Sequence, residues 1–231
     1  MNTVLTGENR RVSSISDARQ APEESAAAYR TRLAEMMLAS GAQIAWLCVL
    51  PGPHIAFMVE AALDAGLHVI VEKPWLCSAP VTQALALRAH AMQRVVAIHY
   101  EYCLLEEVQK WRATFFPGTG FAFGGHFLLN RSNYTGMLAM DNLGTHLLAV
   151  RAYTVPQSAV VQIRCGYEQP DERCVWLERR QVRAAFIDLL AAKELIIQKF
   201  ISKFEAAADG AEFPLDLNFA LEVAEEADAL R

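Results

Sequence analysis

Glu72, Lys73 and Pro74 place a carboxylate, an amine and a residue without an N–H directly after the apolar run HVIV. Val69, Ile70 and Val71 are β-branched, the composition of a short buried strand. Proline cannot donate to a sheet ladder, so the strand must end where the two charges begin. In an open α/β sheet that end is where ligands bind, which makes Glu72 and Lys73 candidates for site chemistry. A surface salt bridge capping the strand is the plain structural alternative. Further along, His146 lies in the helical pattern DNLGTHLLAVRAY behind Asn142, and His99, Tyr100 and Tyr102 end the strand pattern VVAIHYEY. An imidazole titrates near neutrality and can take or give a proton, while a nearby ammonium stabilises a developing alkoxide. His99 and the two tyrosines either line a substrate pocket or fill a domain interface. His54 follows Pro51-Gly52-Pro53 and, from the residues alone, reads as a cap for the next helix.

The elements that must position these residues alternate. VSSIS (Val12 to Ser16) is a weak strand ending at Asp17, and AAAYRTRLAEMMLAS is an Ala- and Leu-rich helix. IAWLCVL (Ile44 to Leu50) has the continuous apolar pattern of a strand buried on both faces. IAFMVEAALDAG is a helix closed by Gly66 at its C-terminal cap; HVIVEKP, VTQALALRAHAMQ and VVAIHYEY follow as strand, helix and strand. That cadence predicts βαβ units and a parallel sheet. Beyond it, strand patterns at GFAFGGHFLLN, SAVVQIRCGYE and RCVWLERRQVRAAFIDL succeed one another without regular crossovers, and two amphipathic helices close the chain. The expected fold class is α/β, an incomplete Rossmann-like parallel sheet lacking its first βα unit, plus a reduced α+β C-terminal domain. The expected division is 1–105 and 106–231.

The totals narrow the function classes. The chain has 231 residues, is 53% hydrophobic and carries a formal net charge of −5. That charge argues against a nucleic-acid binder. No apolar run reaches the roughly 18 residues of a membrane helix, and the first residues lack a secretory pattern. The five cysteines form no C-x-x-C pair, which suits reduced thiols in the cytoplasm. The six histidines show no metal-ligand spacing, so no metal is expected.

With strand, P-x-x-H, helix, Gly, strand and EKP in order, the run IAWLCVLPGPHIAFMVEAALDAGLHVIVEKP resembles the Gfo/Idh/MocA oxidoreductase family. DNLGTHLLAVRAY is similar to that family's D-x-G-x-H-x-x-D helix, and the Ala-rich last helix to its C-terminus. The resemblance implies NAD(P) in a Rossmann domain and hydride transfer to or from a sugar-like substrate. It implies that Lys73 contacts the reacting oxygen, with Glu72 beside it, that His146 is the acid or base, and that the Lys73-Pro74 bond is cis. It puts Asp17 at a ribose-binding position and Pro51 and His54 on the cofactor side. Tyr100, Tyr102, His99 and Asn142 fall on the substrate side.

The chain also departs from that pattern. No strand, G-x-G-x-x-G turn and helix precede VSSISD, and GTGFAFGG lies between a helix and a strand, the wrong order for a dinucleotide fingerprint. Asn142 and Ala149 stand where the family has aspartates. The chain is therefore expected to be an N-terminally truncated, degenerate member with weak or absent NAD(P) binding of its own. It would use Lys73 and His146 for dehydration, isomerisation or cyclisation of a small oxygenated metabolite. The alternatives are an NAD(P)-dependent oxidoreductase whose nucleotide half comes from a partner or upstream segment, and a non-catalytic partner of a full-length homologue. An uncovered sheet edge points to a homodimer or a heteromer with a homologue.

Overall fold

The computed structural model describes residues 20–190 and 193–230; the side chains of 161 and 193–195 are not described. The expected strand at Val12 to Ser16 and Asp17 lie outside these residues. The chain divides by its contacts into two units, Met1–His99 with Ile201–Phe219, and Tyr100–Phe200 with Ala220–Arg231.

In the first unit, α1 (Ala26–Ala39) starts at Ser25, whose hydroxyl accepts the Ala28 N–H at 3.2 Å. Strands β1 (Ile44–Leu47), β2 (His68–Val71) and β3 (Val96–Ile98) form a parallel sheet in that order, as the alternation predicts. They are linked by α2 (His54–Asp64) and α3 (Ala79–Ala91). Val69, Ile70 and Val71 are fully buried, so β2 is covered on both faces and its β-branched composition follows. Helix α2 closes as its sequence predicts. Gly66 takes φ +73°, its N–H reaches the Leu63 carbonyl at 2.8 Å, and the Leu67 N–H reaches that of Ala62 at 2.9 Å. Both bonds occupy carbonyls that the helix end leaves open.

The outer edge of β3 is covered from far along the chain. Ala97 bridges Asp216, and the Ile98 N–H donates to the Leu215 carbonyl at 3.1 Å. Asp216 also caps α7 (Leu217–Ala229), its carboxylate accepting the Asn218 and Phe219 N–H groups at 3.0 Å. The preceding helix, α6 (Lys193–Ala208), and α7 each cross the division between the units.

The second unit opens with a 3₁₀ turn at Glu101–Leu104 and α4 (Glu106–Phe115), then a four-stranded sheet in the order β5-β4-β6-β7. Its strands are β4 (Ala122–Leu129), β5 (Ala159–Tyr167), β6 (Glu172–Arg179) and β7 (Val182–Asp188). β6 and β7 form a hairpin and β4 pairs with β6 antiparallel, but β4 and β5 run parallel. The expectation of strands without a crossover is therefore corrected here. The connection is a π-turn at Met140–Gly144 running into α5 (Thr145–Thr154), which spans from β4 back to β5. Helix α5 approaches the sheet at Gly125, where an added Cβ would lie 3.0 Å from Leu147. GTGFAFGG is the turn from α4 into β4, as its order in the sequence requires. Gly118 there takes φ +89°, and a Cβ on it would sit 2.5 Å from Val155.

Candidate functional site

In the first unit the site residues gather at the carboxyl ends of β1, β2 and β3. Glu72 follows β2, and its Oε1 accepts the Trp46 indole N–H at 3.0 Å and the His99 Nδ1 at 3.2 Å. A carboxylate can only accept, so Nδ1 carries the hydrogen. Trp46 and His99 meet edge to face at 5.3 Å, which locks the three side chains together. Burial pushes the Glu72 carboxyl up. The hydrogen bond and charge of His99, the Trp46 bond and the Lys73 charge outweigh it, and Glu72 lies below its ordinary value. Glu72 thus hydrogen-bonds Trp46 and His99, and the Lys73 charge also acts on it.

Lys73-Pro74 is cis, as the resemblance implies, and Phe116-Pro117 is a second cis bond that nothing in the sequence announced. The residue after Pro74 anchors the segment. Trp75 is buried and donates its indole N–H to Thr82 of α3 at 2.8 Å, while the Thr82 hydroxyl donates to the Ser78 carbonyl at 2.9 Å. His54 is the first residue of α2 and makes no side-chain cap bond; its ring lies over Gly52, where an added Cβ would stand 2.9 Å from it. The capping reading of His54 is thus corrected: Pro53 is the cap residue, and the imidazole turns back over the glycine instead.

The second unit assembles a different set. His146, in the first turn of α5, is buried and stacks on Phe127 of β4 with ring centroids 4.8 Å apart and planes 8° from parallel. Tyr102, in the 3₁₀ turn, meets the same imidazole edge to face at 5.0 Å. Burial, with Glu101 nearby, holds the Tyr102 hydroxyl above its ordinary pKa, so it remains a phenol at neutral pH. Arg173 of β6 stands opposite Phe127 in the ladder, lies over its ring at 5.2 Å and donates to the Tyr102 hydroxyl at 3.2 Å. The Arg173 Nε is buried without a partner.

Sequence reasoning found Tyr102 and His146 but missed Phe127 and Arg173. The signal was there: in ERCVWLER, period-two alternation puts Arg173 on the same face as the buried Val175 and Leu177. Asn142, in the π-turn, donates to the Tyr167 hydroxyl at 2.5 Å and the Thr135 hydroxyl at 3.4 Å. Ala149 is buried. Tyr100 is buried too, and the division between the units separates it and Tyr102 from His99.

A dinucleotide needs backbone N–H donors for its pyrophosphate, normally from a glycine-rich turn opening a helix. Among the described residues the turn from β1 into α2 contains Pro51 and Pro53, neither of which has an N–H. Among the described residues no strand leads through a glycine-rich turn into a helix, so they offer no pyrophosphate cradle. The described residues fit the strand-end side of such a site, with Pro51, His54, Glu72, Lys73 and His99.

Three parallel strands alternating with helices, followed by a mixed sheet, define a Rossmann-like α/β fold. Residues 8–102 match the Gfo/Idh/MocA family model, described as oxidoreductase family, NAD-binding Rossmann fold. No curated protein matches the sequence. Among solved structures, UDP-N-acetylglucosamine 3-dehydrogenase GnnA from Acidithiobacillus ferrooxidans is similar with a TM-score of 0.73 and 16% identity, over 86% of this chain and 80% of that one. KijD10, a 3-ketoreductase from Actinomadura kijaniata in complex with TDP-benzene and NADP, gives 0.63 and 14%, over 84% and 78%. An inositol dehydrogenase homolog from Azotobacter vinelandii, complexed with NADH and myo-inositol, gives 0.58 and 14%, over 86% and 78%. At these identities the likeness is one of fold. No helix among the described residues is long and apolar enough to cross a membrane.

Proposed function

We propose that this chain is an enzyme of oxidoreductase descent that performs acid–base chemistry on a small, hydroxyl-rich metabolite, without NAD(P) turnover of its own. The carrying observation is the seating of His146, stacked on Phe127 and edged by Tyr102, with Arg173 joining both neighbours. An imidazole gripped by two rings keeps one orientation, which proton transfer at a fixed atom requires. In this reading neutral His146 takes a proton from a carbon or hydroxyl of the substrate. Lys73 stabilises the oxygen that gains charge, and Arg173 and Tyr102 hold a polar substituent. Dehydration, isomerisation and cyclisation need only these movements. Sugar nucleotides and cyclic polyols, the ligand types named for the structural neighbours, are the first compounds to try.

Among the described residues no glycine-rich turn leads from a strand into a helix, which supports weak cofactor binding. Calorimetry with NAD(H) and NADP(H) should therefore detect little or no heat of binding by this chain alone. In deuterated solvent, label should enter the matching substrate, and Lys73→Met or His146→Gln should slow that entry about a hundred- to ten-thousand-fold. Low-micromolar cofactor binding would transfer the proposal to the second reading, an NAD(P)-dependent oxidoreductase on a sugar-like or carbonyl substrate, which the match over residues 8–102 favours. Full activity in both variants would leave the third, a non-catalytic partner of a homologue. Residence in the cytoplasm, a biosynthetic role and pairing as a homodimer or heteromer complete the proposal. Exposed Val182 and Phe186 on β7 offer apolar surface for such pairing.

A further inference from the structure

We infer that His126, Glu172 and Cys174 form a binding site for a divalent transition-metal ion of borderline softness, zinc being the best fit, on the second sheet. His126 of β4 and Cys174 of β6 are direct partners in the antiparallel ladder, so their side chains rise side by side on one face. Glu172 lies two residues before Cys174 and shares that face. The face is the one opposite Phe127 and Arg173, so the cluster is separate from the His146 site.

The candidate ligand atoms all lie within 4.8 Å of one another. Glu172 Oε1 is 2.8 Å from His126 Nδ1 and 3.5 Å from Cys174 Sγ. Zinc bonds of about 2.0–2.3 Å to N, O and S in a tetrahedron put ligand atoms roughly 3.3–3.8 Å apart, so the cluster needs only a small adjustment. Most of that movement can come from Glu172, which is exposed, while the ladder holds the other two.

Binding through Nδ1 leaves the buried Nε2, which has no hydrogen-bond partner, on the far side of the ring from the ion. The ring is further fixed by Trp176, edge to face at 5.0 Å. Imidazole, thiolate and carboxylate together suit zinc or cobalt(II) rather than calcium or magnesium, which prefer oxygen alone. One thiolate and one carboxylate neutralise a divalent ion, and the exposed side of Glu172 leaves room for water as a fourth ligand. The histidine and cysteine spacings conceal this set because a strand pairing, and no local motif, brings it together.

The test is cobalt(II) titration of the purified chain under reducing conditions. One equivalent should produce visible d–d bands and a near-ultraviolet thiolate-to-cobalt band. Cys174→Ala should abolish the thiolate band. His126→Gln and the exposed-residue variant Glu172→Gln should each weaken binding at least tenfold, with circular dichroism unchanged for Glu172→Gln. Cys48→Ser, which removes the exposed thiol, should leave the band intact. A wild-type chain without the thiolate band, or a band that survives in Cys174→Ala or vanishes in Cys48→Ser, would overturn the site.

Discussion

Replacing Glu72 by glutamine removes a charge without removing volume. Glu72 Oε1 accepts hydrogen bonds from both Trp46 and His99, and the amide oxygen of glutamine can accept both, but as neutral rather than charge-assisted bonds. A hydrogen bond to a charged group contributes about 1.5–3 kcal/mol and a neutral one about 1 kcal/mol. The cheaper burial of an amide offsets part of the loss, so the net cost at neutral pH should be about 1–2 kcal/mol. The pH dependence distinguishes this cause from a packing defect. Folding holds the Glu72 carboxyl below its ordinary value of 4.5, so its stabilisation is present above that value and is lost as pH falls through the folded one. Urea unfolding followed by tryptophan fluorescence, from neutral pH down into the acid range, should show the Glu72→Gln deficit shrinking as the wild type loses its charge. A variant as stable as wild type at neutral pH, or a deficit that stays constant across the range, would refute the account.

Two further sites probe the second unit. Arg151 pairs with Glu226 at 2.6 Å, where burial, only partly offset by Arg151, holds the Glu226 carboxyl above its ordinary value. Arg151→Ala should cost up to about 3–5 kcal/mol, less for the residual exposure of the pair, and adding Glu226→Gln should recover part of it in urea unfolding. A raised carboxyl stabilises most at low pH, so the Arg151→Ala deficit should grow as pH rises through the folded value. Gly118 and Gly120 both have positive φ, but only Gly118 has Val155 against its missing Cβ. Thermal unfolding should therefore show Gly120→Ala losing about 1–2 kcal/mol to strain, and Gly118→Ala losing about 1–3 kcal/mol more to overpacking.

What the sequence determined by itself was local or periodic. The β-branched run at Val69 to Val71, the glycine closing α2 and the helix–strand alternation each rest on near neighbours, and neighbours along the chain suffice to read them. EKP and PGPH carried the family resemblance of the first half, which the family model matches over residues 8–102, because they occupy adjacent strand ends within one stretch of chain. Tertiary structure alone decided which side chains meet. Glu72 turns to Trp46 and His99 because parallel strands bring residues 26 and 27 positions apart into contact. Arg173 reaches Tyr102 across 71 positions, and His126 faces Cys174 through a ladder register that no spacing rule encodes. Leu215 and Asp216 close the edge of β3 from the far end of the chain, where nothing local marks them as strand partners. Periodicity reports which face a residue takes, whereas the residue across from it depends on pairing and register, which arise only when distant segments fold against each other.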